Sequence, residues 1–414
     1  VTAGRPMPAR VVVTGLGIVS CLGNSLDGVS AALRTGRSAL ARVEAWRARG
    51  FRSQVAGVAS VAAEPPFARK HERFMGDTAR FAAHAAAKAI DDAALDPARL
   101  RSPRAGAIVG SGIGSMAAYD DAMAIAAQRG IDKTPPYVVP KAMSSTASAC
   151  VAQLFGIEGV AYSPSSACTS SALAIGQAMQ LIRSGCQDVV LAGGSDALHD
   201  NMTLMFDAMG VLSGRFNDTP DQASRPYGIG RDGFVIASGA GILVLESLEH
   251  ARSRGARILA ELVGFGQCTD NAGMAAPHAP GIARAMRMAL EGDARRPDYV
   301  NTHAPSTPLG DVEELAALAD VFGDDVPAFS STKGMTGHPL GASGAHEAIY
   351  TILMMRDGFI AGTAVDGAPD PAVGRMPLVR TARDARIERA LSVSFGFGGS
   401  CASLLLDAWK GDRS

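Results

Sequence analysis

Along this chain, short apolar runs rich in Val, Ile and Ala alternate with Ala-rich stretches whose apolar positions recur every three or four residues. The first pattern predicts strands and the second helices, and their alternation predicts an α/β fold. Strands are expected at Arg10–Thr14, Ala105–Val109, Val160–Ser163, Asp188–Ala192, Ile242–Glu246, Asp298–Thr302, Ala328–Thr332 and Arg389–Ser394. Several are apolar at successive positions, as strands covered on both faces are. After the third run, Ala172, Ile175, Met179 and Ile182 share one face of a predicted helix.

The pattern occurs twice. "RVVVTGLG" (Arg10–Gly17) is echoed by "ILAELVGFG" (Ile258–Gly266). "VAYSPSSACTSSALAIGQAMQLIRSG" runs strand, small-residue turn, helix, and "VPAFSSTKGMTGHPLGASGAHEAIYTILMMRDG" has the same plan. Each is followed by a strand ending in glycines, "DVVLAGGSD" and "ALSVSFGFGG". A duplicated core is the economical reading, with residues 1–254 and 255–414 as its halves and the seam near Glu249–Arg257. Pro-rich Thr134–Pro140 and Ala361–Pro377 read as long surface connections, the first alternatively as an ordered cap or interface segment.

Composition narrows the class. With 414 residues, 47% of them hydrophobic and 19% charged, the chain has the make-up of a compact globular protein. No apolar run reaches the ~18 residues that span a bilayer, and Val1–Arg10 lacks an export segment, so a cytoplasmic protein is expected. The 39 basic and 40 acidic residues leave a formal charge of −1, which excludes a bulk field for nucleic acid or membrane. Six scattered cysteines form no C-x-x-C pair and no metal-ligand rhythm, so reduced thiols and no metal are expected.

One cysteine stands in a suggestive place. Cys168 lies between a short strand and a helix, among small residues that permit a sharp turn. There, unpaired N–H groups and the helix dipole favour thiolate over thiol, and the same N–H groups can receive an oxyanion. A small buried packing cysteine is the bland alternative. His303 follows another strand, and Lys333 and His338 share a second strand-to-helix turn. If the halves are wound alike, these turns gather at one end of the sheet. Two imidazoles would then present N–H donors to a thioester carbonyl, with a Lys333–Glu347 pair supporting them.

Read together, "VVVTGLGIVS", "SSAC", "FDAMGVLS", "RPYGIGRDGFVIASGAG", "NTHAPSTPLGD", "STKGMTGHPLGASGAHEAIYTIL" and "SFGFGG" resemble the elongating β-ketoacyl-acyl carrier protein synthases, members of the thiolase-like superfamily. The resemblance covers essentially the whole chain. It implies a five-layered α/β/α/β/α fold of two duplicated halves, a homodimer, and decarboxylative Claisen condensation of malonyl-ACP with an enzyme-bound acyl group. It implies a Cys168–His303–His338 triad supported by Lys333 and Glu347, and an oxyanion hole from the amides of Cys168 and Phe397, Phe397 also serving as a gate. Ile113, Phe206, Thr307 and Phe395 are the implied substrate-binding residues. No nicotinamide, flavin or catalytic metal is implied; a structural monovalent cation would fall to Asn301, Glu347 and Ser392.

The chain also departs from the family. Pro305 stands where relatives have a threonine that contacts the phosphopantetheine arm, and proline has no N–H to donate. Ser400–Cys401 replaces a usual Thr-Asn after the glycines, and Val393 stands where asparagine is common. "FDAMGVLS" and "RDGFVIASG" resemble class I, whereas Ile113 resembles class II. The basic residues Arg69, Lys70, Arg73, Arg129 and Lys133 form a candidate patch for the acidic helix of acyl carrier protein, or a plain solvated face.

Four other readings are weaker. A thiolase would use a second cysteine as base, for which Cys401 is a candidate, but two histidine turns favour decarboxylative condensation. A non-catalytic chain-length-factor-like partner would lack the nucleophile, and a specialised polyketide-like or aryl polyene ketosynthase would share it. "GLGIVS" after a strand lacks the third glycine and the later acidic residue of a dinucleotide site, so Gly15 and Gly17 are expected to serve a tight turn.

Overall fold

The computed structural model describes residues 8–364 and 367–411; Val1–Met7, part of the segment read for export, lie outside them. One ten-stranded sheet runs through the molecule. Its strands are β1 (Val11–Val19), β2 (Ala105–Gly110), β3 (Ala161–Tyr162), β4 (Val189–Asp196), β5 (Gly239–Ser247), β6 (Ala260–Thr269), β7 (Tyr299–Asn301), β8 (Ala328–Ser330), β9 (Arg389–Gly396) and β10 (Ser400–Ala408). All eight expected strands are present, and β10, which had not been foreseen, follows the Gly-rich turn at Phe397–Gly399.

The strand order is β8-β7-β9-β10-β6-β1-β5-β4-β2-β3. Read outward from the centre, β6-β10-β9-β7-β8 repeats β1-β5-β4-β2-β3 strand for strand. The pairing senses repeat as well: β1–β5 and β6–β10 are antiparallel, β5–β4 and β10–β9 antiparallel, β4–β2 and β9–β7 parallel, β2–β3 and β7–β8 parallel. The two sets meet through the short antiparallel pairing of Val11–Val13 with Ala260–Leu262.

Helices repeat in the same way. α1 (Asp77–Asp92) and α2 (Thr146–Phe155) cover the outer face of the first half, α3 (Ser170–Arg183) its inner face. α4 (Ala279–Leu290) and α5 (Gly310–Phe322) cover the outer face of the second half, and α6 (Ser343–Asp357) packs against α3 between the halves. Five layers, α/β/α/β/α, follow. The central layer is held by the largest apolar cluster, in which Ile175, Met179 and Ile182 of α3 join Ile349, Ile352 and Leu353 of α6. The face expected for α3 is thus the buried one.

The tight turn expected at Gly15 and Gly17 is absent, because β1 runs straight through both. A Cβ on Gly17 would lie 1.9 Å from the Ala85 carbonyl oxygen of α1, and one on Gly15 2.3 Å from that of Ala89. The second half repeats this contact: a Cβ on Gly266 or Gly264 would lie 2.0 Å from the Ala285 or Ala289 carbonyl of α4. These glycines let a helix backbone approach a strand, a close-packing role. Of the expected surface connections, Thr134–Pro140 leads into a short helix at Val138–Ala142, and Ala361–Gly362 is buried; residues 365 and 366 lie outside the described residues.

Candidate active site

Three strand-to-helix turns meet at one end of the sheet. The first joins β3 to α3 and carries Cys168 just before the helix. Ala167 is forced to φ +48°, and the Ser170 hydroxyl closes the turn by donating to the Ala167 carbonyl at 2.7 Å and accepting from the Ser166 amide at 2.9 Å. The second joins β7 to α5. Here the amides of His303 and Ala304 each donate to the Glu314 carboxylate at 2.7 Å, and those of Ser306 and Thr307 donate to Asp311 at 3.1 Å. The third joins β8 to α6 and carries Lys333 and His338; the Gly341 amide donates to Asp196 at 2.7 Å.

Each turn holds one non-glycine residue in the left-handed region: Ala167, Ser306 at φ +80° and Leu340 at φ +48°. Such backbone persists only where surrounding bonds over-determine it. Here the over-determination is visible, in Ser170, Asp311 and Asp196. Sequence reasoning missed Glu314, Asp311 and Asp196. For the first two a signal existed: acidic residues in the first two turns of a helix, three apart, share a face that can turn back toward the amides preceding it.

The expected triad is assembled. His338 Nε2 lies 3.0 Å from Cys168 Sγ, and the His303 and His338 rings stand edge to face with centroids 5.0 Å apart. Lys333 Nζ lies 3.4 Å from His303 Nδ1 and forms a buried ion pair with Glu347. Both histidines are 2% exposed. The pocket above them is lined by Ile113, Phe206, Phe234, Leu340, Phe395 and Phe397, with Pro305, Thr307, Pro308 and Pro277 farther along the wall. Ile113, Phe206, Thr307, Phe395 and Phe397 therefore all line the same pocket as Cys168, His303 and His338. A Cβ on Gly396 would lie 2.9 Å from the Cys168 amide nitrogen, so the backbone leading into Phe397 packs directly on the nucleophile turn. The Ser400 hydroxyl links the two segments, 2.9 Å from Ser166 Oγ and 2.7 Å from Thr169 Oγ1.

Burial sets the protonation states. It pushes the Cys168 thiol up to about 12, a correction to the expected thiolate: loss of water outweighs the helix terminus and the nearby Lys333. Burial, then the Lys333 charge, pushes both His303 and His338 well below the ordinary imidazole value, so both rings are neutral. A neutral imidazole carries one N–H. At His303, Nδ1 faces an amine that can only donate, so the hydrogen sits on Nε2. At His338, Nε2 accepts from the Cys168 thiol and Nδ1 carries the hydrogen.

The three donor atoms lie within 4.8 Å of one another, which would also suit a soft metal ion. The Lys333 ammonium beside His303 makes a cation there costly. Cys401, the candidate second cysteine, lies in the apolar core of the second half and does not line the pocket. Arg69, Lys70 and Arg73 are exposed on a short helix at Arg69–Glu72 and its end, with Arg73 stacked on Phe74 and Tyr137. Arg129, at the end of the helix Met116–Arg129, and Lys133, beyond it, are exposed, with Lys133 paired with Asp132. None of the five lines the pocket.

Residues 9–251 match the model of the β-ketoacyl synthase N-terminal domain, and residues 259–365 that of its C-terminal domain. The chain belongs to the β-ketoacyl synthase family. The 3-oxoacyl-[acyl-carrier-protein] synthase 1 of Escherichia coli K12 is 48% identical over 97% of this chain and 99% of that protein. A β-ketoacyl synthase structure from Burkholderia phymatum superposes with a TM-score of 0.91 at 37% identity, covering 97% of this chain and all of that one. A ketosynthase described as AntDE:AntF, in complex with its type II polyketide synthase acyl-carrier protein, superposes with a TM-score of 0.89 at 32% identity over 97% of this chain and all of that one. Activity and fold follow: a thiolase-like acyltransferase that elongates carrier-bound acyl chains by decarboxylative condensation.

Proposed function

We propose that Cys168, His303 and His338 divide the two half-reactions of this ketosynthase between them. The observation that carries the assignment is the 3.0 Å contact of Cys168 Sγ with a neutral His338, beside a His303 whose tautomer Lys333 holds. In acylation, sulfur attacks the thioester carbonyl while its proton passes to His338 Nε2. The oxyanion meets the amides of Cys168 and Phe397. As the carbonyl re-forms, the pantetheine sulfur leaves and takes the proton from Nε2. In condensation, the malonyl thioester carbonyl accepts from His303 Nε2–H and His338 Nε2–H. The bond to carboxylate carbon breaks, CO2 departs, and the enolate carbon attacks the acyl-Cys168 carbonyl. Cys168 leaves as thiolate and takes a proton from solvent.

The nucleophile comes from residues 1–254 and both histidines from 255–414, the two halves of the duplication. Thr307 takes over the pantetheine role that Pro305 cannot fill: its oxygen accepts from the Gly310 amide at 3.2 Å, leaving the O–H to donate into the pocket it lines. Acyl carrier protein is the partner, which the carrier-bound relative and the exposed Arg69–Arg73 cluster support. A homodimer is supported by the bare edge at β3, where Ala161 and Tyr162 are exposed, and by exposed Tyr119, Met123, Leu204 and Met205. No described helix is long and apolar enough to cross a membrane, which agrees with a cytoplasmic enzyme.

A monovalent cation fits one further place. Asn301 Oδ1, Glu347 Oε2 and Ser392 Oγ are buried without a hydrogen-bond partner among the described residues, and Asn301 and Ser392 are register partners on β7 and β9. Hard oxygen donors of this kind suit sodium or potassium. Such an ion would balance charge beside Glu347 and stiffen the second turn.

Intact-mass measurement after incubation with a panel of acyl-ACPs tests the whole assignment. The parent gains one acyl group and Cys168→Ala none. His303→Ala still acylates but releases CO2 from malonyl-ACP slowly. Normal decarboxylation by His303→Ala would overturn that histidine's role.

A further inference from the structure

His338 has two duties that need opposite hydrogen placements. To take the Cys168 proton its Nε2 must be bare, and to donate to the malonyl carbonyl Nε2 must carry hydrogen. His303 has no such freedom, because Lys333 Nζ offers its Nδ1 only donors. The partner of His338 Nδ1 is different in kind. It is the Ser343 hydroxyl, 3.0 Å away, 1% exposed, on the first residue of α6.

A hydroxyl both donates and accepts. It accepts from Nδ1–H while Nε2 is bare, and after rotating it donates to a bare Nδ1 while Nε2 carries hydrogen. An ammonium there would permit only one of these states. A carboxylate would favour the charged ring instead. We propose that Ser343 is a positioning residue that supports both neutral tautomers of His338 and so lets one ring act as base in acylation and as donor in decarboxylation. The exchange moves no heavy atom. One proton leaves Nδ1 and one arrives at Nε2 through water admitted as one carrier departs and the next enters, and the serine O–H turns over.

The inference rests on the roles assigned above to Cys168 and His338, and the test separates the two. Enzyme labelled with 15N-histidine is observed by long-range 1H–15N NMR, free and after acylation of Cys168. The His338 signal is expected to change from the Nδ1–H to the Nε2–H pattern in the parent and in Ser343→Thr. Ser343→Ala loses one hydrogen bond, so single-turnover acylation falls about tenfold at unchanged melting temperature. Decarboxylation, for which His303 supplies a second donor, falls only about threefold. The same tautomer in both states of the parent overturns the inference. So does Ser343→Ala acylating within about twofold of the parent, or losing both half-reactions together with its melting temperature, since a packing defect acts alike on both. Failure of the parent to acylate at Cys168 would instead remove the catalytic reading, and the inference with it.

Discussion

The β3–α3 turn and the β8–α6 turn occupy the same place in the two halves, yet they have become different instruments. Ser163–Thr169 is short and wholly uncharged, and it presents one sulfur. Ser331–Ala342 is longer; it carries His338 into the same pocket and sets Lys333 beside His303. The helices behind them differ likewise: α3 has no ionisable side chain before Arg183, whereas α6 buries His346 and Glu347. Elsewhere the contrast reverses. The turn between β9 and β10 is tight, and its counterpart between β4 and β5 is the long excursion Ala197–Ser238 that brings Phe206 and Phe234 to the pocket. Duplication supplied a scaffold on which one half specialised in charge management and the other in the nucleophile and the apolar cradle.

The largest effect should come from the Lys333–Glu347 pair buried in the second half. Lys333→Met leaves Glu347 unpaired and is expected to destabilise the fold by about 3–5 kcal/mol, with much of this recovered in Lys333→Met/Glu347→Gln. In α3, by contrast, Met179→Leu should cost less than about 1.5 kcal/mol. Urea denaturation measures all three. Equal losses from Lys333→Met and Met179→Leu would erase the asymmetry.

Next comes pH. Burial pushes His346 down to about 4 from 6.5, so between those values the unfolded chain binds a proton that the fold does not. Stability is therefore lost as pH falls through 6.5 and levels off below about 4, by on the order of 3 kcal/mol. Asp196, Asp311, Glu314 and Glu347, all raised by burial to about 6 or 7, act in the opposite sense across the same window. The difference between parent and His346→Gln isolates the histidine: melting temperatures should converge as pH falls from 7 to 4. Parallel curves would be the contrary result.

A smaller effect sharpens the likeness of the halves. Gly17→Ala and Gly266→Ala drive the same methyl against the same helix carbonyl and should each cost about 1–3 kcal/mol. A large loss at one and none at the other would break the equivalence. Smallest is the surface patch, which exists in the first half only. Reversing Arg69, Lys70 and Arg73 should slow turnover of carrier-bound substrates about tenfold at low salt while sparing pantetheine surrogates. Equal loss with both substrates would reject it.

Much of this was legible along the chain. Eight strands, the buried face of α3, and the convergence of Cys168, His303 and His338 follow from periodicity and from motifs that lie within single segments. β10 escaped because its start coincides with the Gly-rich turn that was read as an ending. Gly15 and Gly17 were misread because a glycine needed for a tight turn and one needed for close approach have the same letter; only α1 lying against β1 distinguishes them. Asp196 could not be found, since its partners Ser111, Gly112 and Gly341 come from both halves.

By itself, then, the sequence determined the doubled α/β architecture and which side chains would meet in one pocket, because hydrophobic period and turn composition act locally. What only the tertiary structure decided is the state in which those side chains wait: a thiol rather than a thiolate, two neutral rings with their hydrogens on different nitrogens, and a serine able to serve either. Proton affinity is set by water excluded and charges brought near, and both depend on residues far apart along the chain.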